Sequence, residues 1–167
     1  MTSILPMNRD LTSRLLRAWL LTAVVDALFA STMSATVYRS TVARLWQGVA
    51  ATLLGPSSFE GGGRTVAIGL VMHLGVALAW SIVFLALYES SPRLRAVAAS
   101  PGGVVKVAAV YGPCIWLVMS LVVIPLLTHR PPAFTLRWFI QLVGHIPFVA
   151  IPIVSQISWR EAHVKPA

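Results

Sequence analysis

Charge is what this chain has least of. Only 11% of its 167 residues are charged, against about a quarter in soluble domains. There are five acidic residues in all, set against thirteen Lys and Arg. So little polar surface cannot cover a soluble globule with this apolar content. One cysteine, Cys114, leaves no partner for an internal disulfide and no cysteine spacing that would hold a metal. The glycine run Gly61-Gly62-Gly63 precedes an apolar helix but lacks the Lys and Ser/Thr of a phosphate-cradling loop. No nucleophile elbow or metal-pair spacing is present, so the sequence gives no sign of an enzyme. The first 14 residues are mixed and mostly not apolar, so no cleavable signal peptide is expected.

What is present is hydrocarbon in long runs: 57% of residues are hydrophobic and the mean hydropathy is +0.79. Crossing about 30 Å of hydrocarbon takes about 20 helical residues. Four runs meet that length, at about 15–37, 65–88, 104–127 and 136–157. The expected fold is therefore all-α: one integral membrane bundle of four transmembrane helices covering the whole chain. A fifth apolar segment, 41–54, is too short to span. Val42, Leu45, Trp46, Val49 and Leu53 recur there at helical spacing, with Arg44, Gln47 and Thr52 off the stripe. That pattern predicts an amphipathic helix, either lying in the interface or re-entrant and returning at Gly55-Pro56.

Between the runs, Asp10-Leu-Thr-Ser offers a cap for the first helix. Arg14 and Arg17 read as interface anchors. The segment from Glu89 to Pro101 reads as a polar loop, and Lys106 is placed to snorkel. Pro113 predicts a kink near Tyr111-Gly112-Pro113. The net charge of +8 would suggest nucleic acid in a soluble protein. Here the basic residues fall between apolar runs, so the expected partner is a bilayer with anionic headgroups and not a nucleic acid. Eight Lys and Arg lie in the lead, the second loop and the tail, and five lie in the first and third loops. That bias places both termini in the cytoplasm.

Ionisable residues at membrane depth carry the functional signal, because a charge at a helix centre costs at least about 2.5–3.5 kcal/mol and must face protein or water. Asp26 sits at the middle of the first span. His73 is the ninth residue of the second and His145 the tenth of the fourth. Both imidazoles then lie roughly 12–15 Å below the outer surface, and Asp26 near the midplane. Thr22, Asp26, Ala30 and Ser34 share one helix face; Gly69, His73, Ala77 and Ser81 share another; Gln141 and His145 share a third, with Trp138 above. Small and polar residues on these faces suit close helix packing in lipid. A buried cluster of Asp26, His73, His145 and Gln141 is thus expected. At the outer surface, Glu60, Gly61, Gly62 and Arg64 form a loop in which Glu60 either caps the second span or marks the mouth of a site. Tyr111, Cys114 and the tryptophans 46, 80, 116, 138 and 159 read as packing or belt residues.

A repeat is also visible. Leu53-Leu54, Pro56, Phe59, Arg64 and His73 are echoed by Leu126-Leu127, Pro131, Phe134, Arg137 and His145, as two related helical hairpins would give.

Four stretches carry a resemblance: LLGPSSFEGG at 53–62, LGVALAW at 74–80, VYGPCIWLVMSLVVIPL at 110–126 and GHIPFVAIPI at 144–153. Over about Val49 to Ile153 the chain resembles a widespread group of small bacterial four-span membrane proteins. Glu60, His73, Tyr111, Pro125 and His145 fall on that group's positions, while Phe84 and Leu87 stand where the group often has Tyr. The resemblance implies the four-span fold and a bacterial inner membrane; it implies no activity.

Three functions are then open. The first is a non-catalytic accessory or assembly subunit, held with other membrane subunits or as a homo-oligomer. The second is a redox subunit binding haem b, or a quinone, through His73 and His145. The third is a proton-coupled carrier using Asp26, His73 and His145.

Overall fold

The computed structural model describes residues 9–159; the tail residues Arg160 and Lys165, used in the charge count above, lie outside them. Among the described residues the chain is helical with no strand, and four helices are long and apolar enough to cross a membrane. The protein is an all-helical, multi-pass membrane bundle. The first span is α1 (Arg9–Thr36). A short helix, α2 (Val42–Leu54), and a 3-10 turn at Pro56–Glu60 lead to the second span, α3 (Gly62–Ser90). After α4 (Pro92–Ala99), the third span is built from α5 (Gly103–Val118), a π-helical turn at Met119–Val123 and α6 (Ile124–Thr128). The fourth comprises α7 (Leu136–His145), a π-helical turn at Ile146–Ala150 and α8 (Ile151–Ser158).

The first span packs between the second and the fourth, and the fourth packs on the third. Side chains close the ring: Tyr111 of α5 donates to the Trp80 carbonyl of α3 at 2.7 Å and its ring lies 4.9 Å from that of Phe84. Helix α2 lodges between α3 and α6. The apolar core lies toward the end of the bundle that holds Arg14 and Ser158, around Phe84, Tyr88, Ala108, Ile115, Ile153, Val154 and Ile157.

Two glycines set the helix spacing. A Cβ on Gly69 would collide with the backbone carbonyl oxygen of Trp46, and one on Gly112 would stand 2.7 Å from that of His145. Backbones approach this closely only where a side chain is missing.

Several expectations are corrected. Asp10 is inside the first turn of α1 and not its cap. Arg14 is no interface anchor: it is 8% exposed, and its Nε and Nη2 donate to the Ile157 carbonyl oxygen at the end of α8. Its Nη1 pairs with Glu89 at 3.3 Å, and its guanidinium lies 5.4 Å from the Tyr88 ring centre. A helix end leaves carbonyls without intrahelical partners, and a cation there satisfies them. The Glu89–Pro101 segment is not a loop. Ser91 caps α4 by accepting from the Leu94 N–H, and Pro92 sits at the first turn, where its missing N–H costs nothing. Arg95 donates back to the carbonyls of Tyr88 and Glu89 at 3.1 and 2.7 Å.

Helix α5 continues past Pro113, whose missing N–H leaves one bond unmade, and the α-helical pattern departs elsewhere. It departs at the π turns 119–123 and 146–150. These precede Pro125 and Pro152, whose rings cannot accept a carbonyl in the usual i−4 position. On α2 the expected stripe is only partly buried: Trp46 and Ala50 face inward, while Val42 and Leu53 are exposed. Cys114 is exposed, whereas Tyr111 on the same turn is buried.

Candidate functional site

Asp26 comes from the middle of α1, His73 from α3 and His145 from the end of α7. The faces that carry them turn inward: Thr22 and Ser34 on α1, and Gly69, Ala77 and Ser81 on α3, are all buried. His73 Nδ1 lies 3.8 Å from Asp26 Oδ2, with side-chain exposures of 14% and 20%. Its Nε2 donates to the Ala23 carbonyl oxygen at 3.0 Å. That carbonyl can only accept, so the Nε2–H tautomer is fixed by its partner. His73 Nδ1 thus faces the Asp26 carboxyl from beyond hydrogen-bond distance. His145, 9% exposed, lies within the electrostatic reach of the same carboxylate. Its Nδ1 donates to the Gln141 carbonyl oxygen at 2.7 Å, which leaves Nε2 as the acceptor nitrogen.

Asp26 and His73 are therefore brought together from two spans, while the contacts of His145 are to Gln141 and Trp116. Gln141 enters the cluster through its main-chain carbonyl. The loop group of residues is separate. Glu60 ends the 3-10 turn and is exposed, as are Gly61, Gly62 and Arg64. Glu60 does not cap α3: the cap residue is Gly61, with no side-chain bond. The first turn is held by Thr65, whose hydroxyl donates to the Ser58 carbonyl at 2.7 Å.

Two partners escape a reading of single spans. Each imidazole packs against a tryptophan from the preceding helix: Trp46 on His73 at 5.2 Å between ring centres, and Trp116 on His145 at 5.0 Å. The signal was available, because the two Trp–His separations, 27 and 29 residues, extend the repeat already seen at Leu-Leu, Pro, Phe, Arg and His. Trp19 is the other omission; its indole N–H donates to the Leu74 carbonyl at 2.8 Å and ties α1 to α3 beside the cluster.

Axial ligation of a haem needs a ring nitrogen with a free lone pair aimed at the iron. His73 has none so aimed: Nε2 donates to Ala23, and the Nδ1 lone pair points toward the Asp26 carboxyl. His145 retains one. The pair does not fit a bis-histidine haem site.

Searches of protein-family models, curated proteins and solved structures find no match to this chain.

Proposed function

We propose that this chain is a non-catalytic inner-membrane protein of a bacterial cell, with both termini cytoplasmic, serving as an accessory or assembly subunit of a larger membrane complex. The observation that carries this reading is the use made of the charged groups inside the bundle. Asp26 and His73 join α1 to α3, His73 also holds the Ala23 carbonyl, and Arg14 holds the end of α8. Groups that cost several kcal/mol to bring into lipid are thus spent on tying helices to one another. The charge bias of the loops supports the orientation, and the resemblance supports the membrane. Native gel electrophoresis of gently solubilised membranes tests the reading. The tagged full chain should migrate in an assembly larger than itself; a lone monomer at native expression would refute it.

A second reading rests on one specific feature, the placing of Asp26 beside the His73 imidazole at membrane depth. An acid and a base side by side can exchange a proton, as a small proton-coupled carrier requires. Proteoliposomes loaded with a pH-sensitive dye decide it: proton flux abolished by Asp26→Asn would favour the carrier, and equal leak in both would dismiss it.

A further inference from the structure

A second polar constellation lies away from Asp26, at the outer end of the bundle. Gly112 abuts His145, which sets the two helices at one level there. Thr128 lies 16 residues beyond Gly112, roughly 24 Å, while Leu136 lies nine residues before His145, roughly 14 Å. The third span therefore overshoots the fourth by about 10 Å, and the connection through Pro131-Pro132 descends beside it. Between this overshoot, the end of α2 and the 3-10 turn is a cavity of about 770 Å³, within the roughly 300–1,000 Å³ usual for ligand sites.

Its wall holds groups that want a partner. Among the described residues, six buried side-chain polar atoms lack one, and three of them belong to residues lining this cavity: Trp116 Nε1, Trp138 Nε1 and Ser120 Oγ. Ser120 is 6% exposed. The two indole rings are 6.2 Å apart. An indole N–H only donates, and buried donors without acceptors are costly. An acceptor able to take two or three donors at once, as an oxyanion does, would satisfy them. Ser120 lies about 12 Å beyond Gly112, close to the level where the fourth span ends and headgroups begin. Arg130 adds positive charge at the lining, and Leu54 and Leu127, 50% and 44% exposed, open it toward hydrocarbon.

We propose that this cavity binds an anionic phospholipid, the phosphate oxygens accepting from Trp116, Trp138 and Ser120 beside Arg130, and the acyl chains leaving past Leu54 and Leu127 into the bilayer. The site uses neither Asp26 nor His73; Trp116, which also packs on His145, is its one link to that cluster.

The test uses the full chain in a mild non-ionic detergent, with phosphatidylglycerol as the probe, followed by native mass spectrometry and by thermal melting. The wild type is expected to hold one phosphatidylglycerol saturably and to melt at higher temperature with it than with phosphatidylcholine. Ser120→Ala and Trp138→Phe should each weaken binding by about five- to tenfold, and Arg93→Gln, at the opposite end, should leave it unchanged. Binding by both cavity variants at the wild-type level would overturn the proposal. So would an equal melting shift from phosphatidylcholine, or from inorganic phosphate alone, which would make the site one for any lipid or for a free anion. Should a variant fail to fold, the comparison of the three probes on the wild-type chain decides the matter alone.

Discussion

Asp26 of α1 and His73 of α3 face each other 3.8 Å apart inside the bundle. The same imidazole holds the carbonyl of Ala23, one turn before Asp26. One side chain thus grips two successive turns of a neighbouring span, a pairing that fixes both the rotation and the depth of α1 against α3.

Arg14 is expected to matter more than its place near the end of a span suggests. Arg14→Met leaves the Ile157 carbonyl and Glu89 without their cation. Glu89 is exposed enough to be solvated, so the loss is that of the unsatisfied carbonyl, about 1–3 kcal/mol, and a fall of that size in unfolding free energy in mixed detergent micelles is predicted. Arg14→Lys should recover only part of it, because a lysine has no fork to place two N–H groups on one carbonyl.

Glycine substitutions should separate by position. Gly69→Ala drives a methyl into the Trp46 carbonyl, and Gly112→Ala crowds that of His145. Each should lower the melting temperature, and Gly69→Ala should also change Trp46 fluorescence as α2 moves off His73. Gly75→Ala, in the same helix α3 with nothing within 4 Å, should be neutral or stabilising by up to about 1 kcal/mol.

Tyr111→Phe removes the hydroxyl that reaches the Trp80 carbonyl and leaves the ring against Phe84. A loss of about 1 kcal/mol is expected, that of one hydrogen bond, with no change in helix content by circular dichroism.

Haem b added to the purified protein is predicted to give no low-spin bis-imidazole spectrum, since Nε2 of His73 is bonded to Ala23 and Nδ1 is turned toward Asp26. His73→Ala should not alter that absorption result, whereas a sharp bis-histidine spectrum lost in this variant would contradict the arrangement.

The four spans were legible because length and hydropathy alone decide what crosses a bilayer. The inward faces were legible too, since Thr22, Ser34, Gly69, Ala77 and Ser81 mark them by size and are buried. The pairing of Asp26 with His73 was legible from their depth. What stayed hidden depends on contacts between distant parts of the chain. Arg14 looks like any interfacial arginine until α8 ends beside it. Ser91-Pro92 reads equally as a loop or as a cap and first turn, and only the Ser91 side chain on the Leu94 N–H decides. The π turns could not be read from Pro113, because the backbone yields upstream of Pro125 and Pro152 instead. The partial burial of α2 follows from Gly69, which lets the helix sink onto α3 and leaves Leu53 outside.

The measurement that bears most directly on the account is a double-mutant cycle on Asp26→Asn and His73→Gln, read as unfolding free energy in mixed micelles. The pairing of Asp26 with His73 predicts that the two losses are not additive, with a coupling of about 1 kcal/mol. Additivity within about 0.3 kcal/mol would mean that the two side chains do not meet, and the clamp between the first and second spans would be wrong.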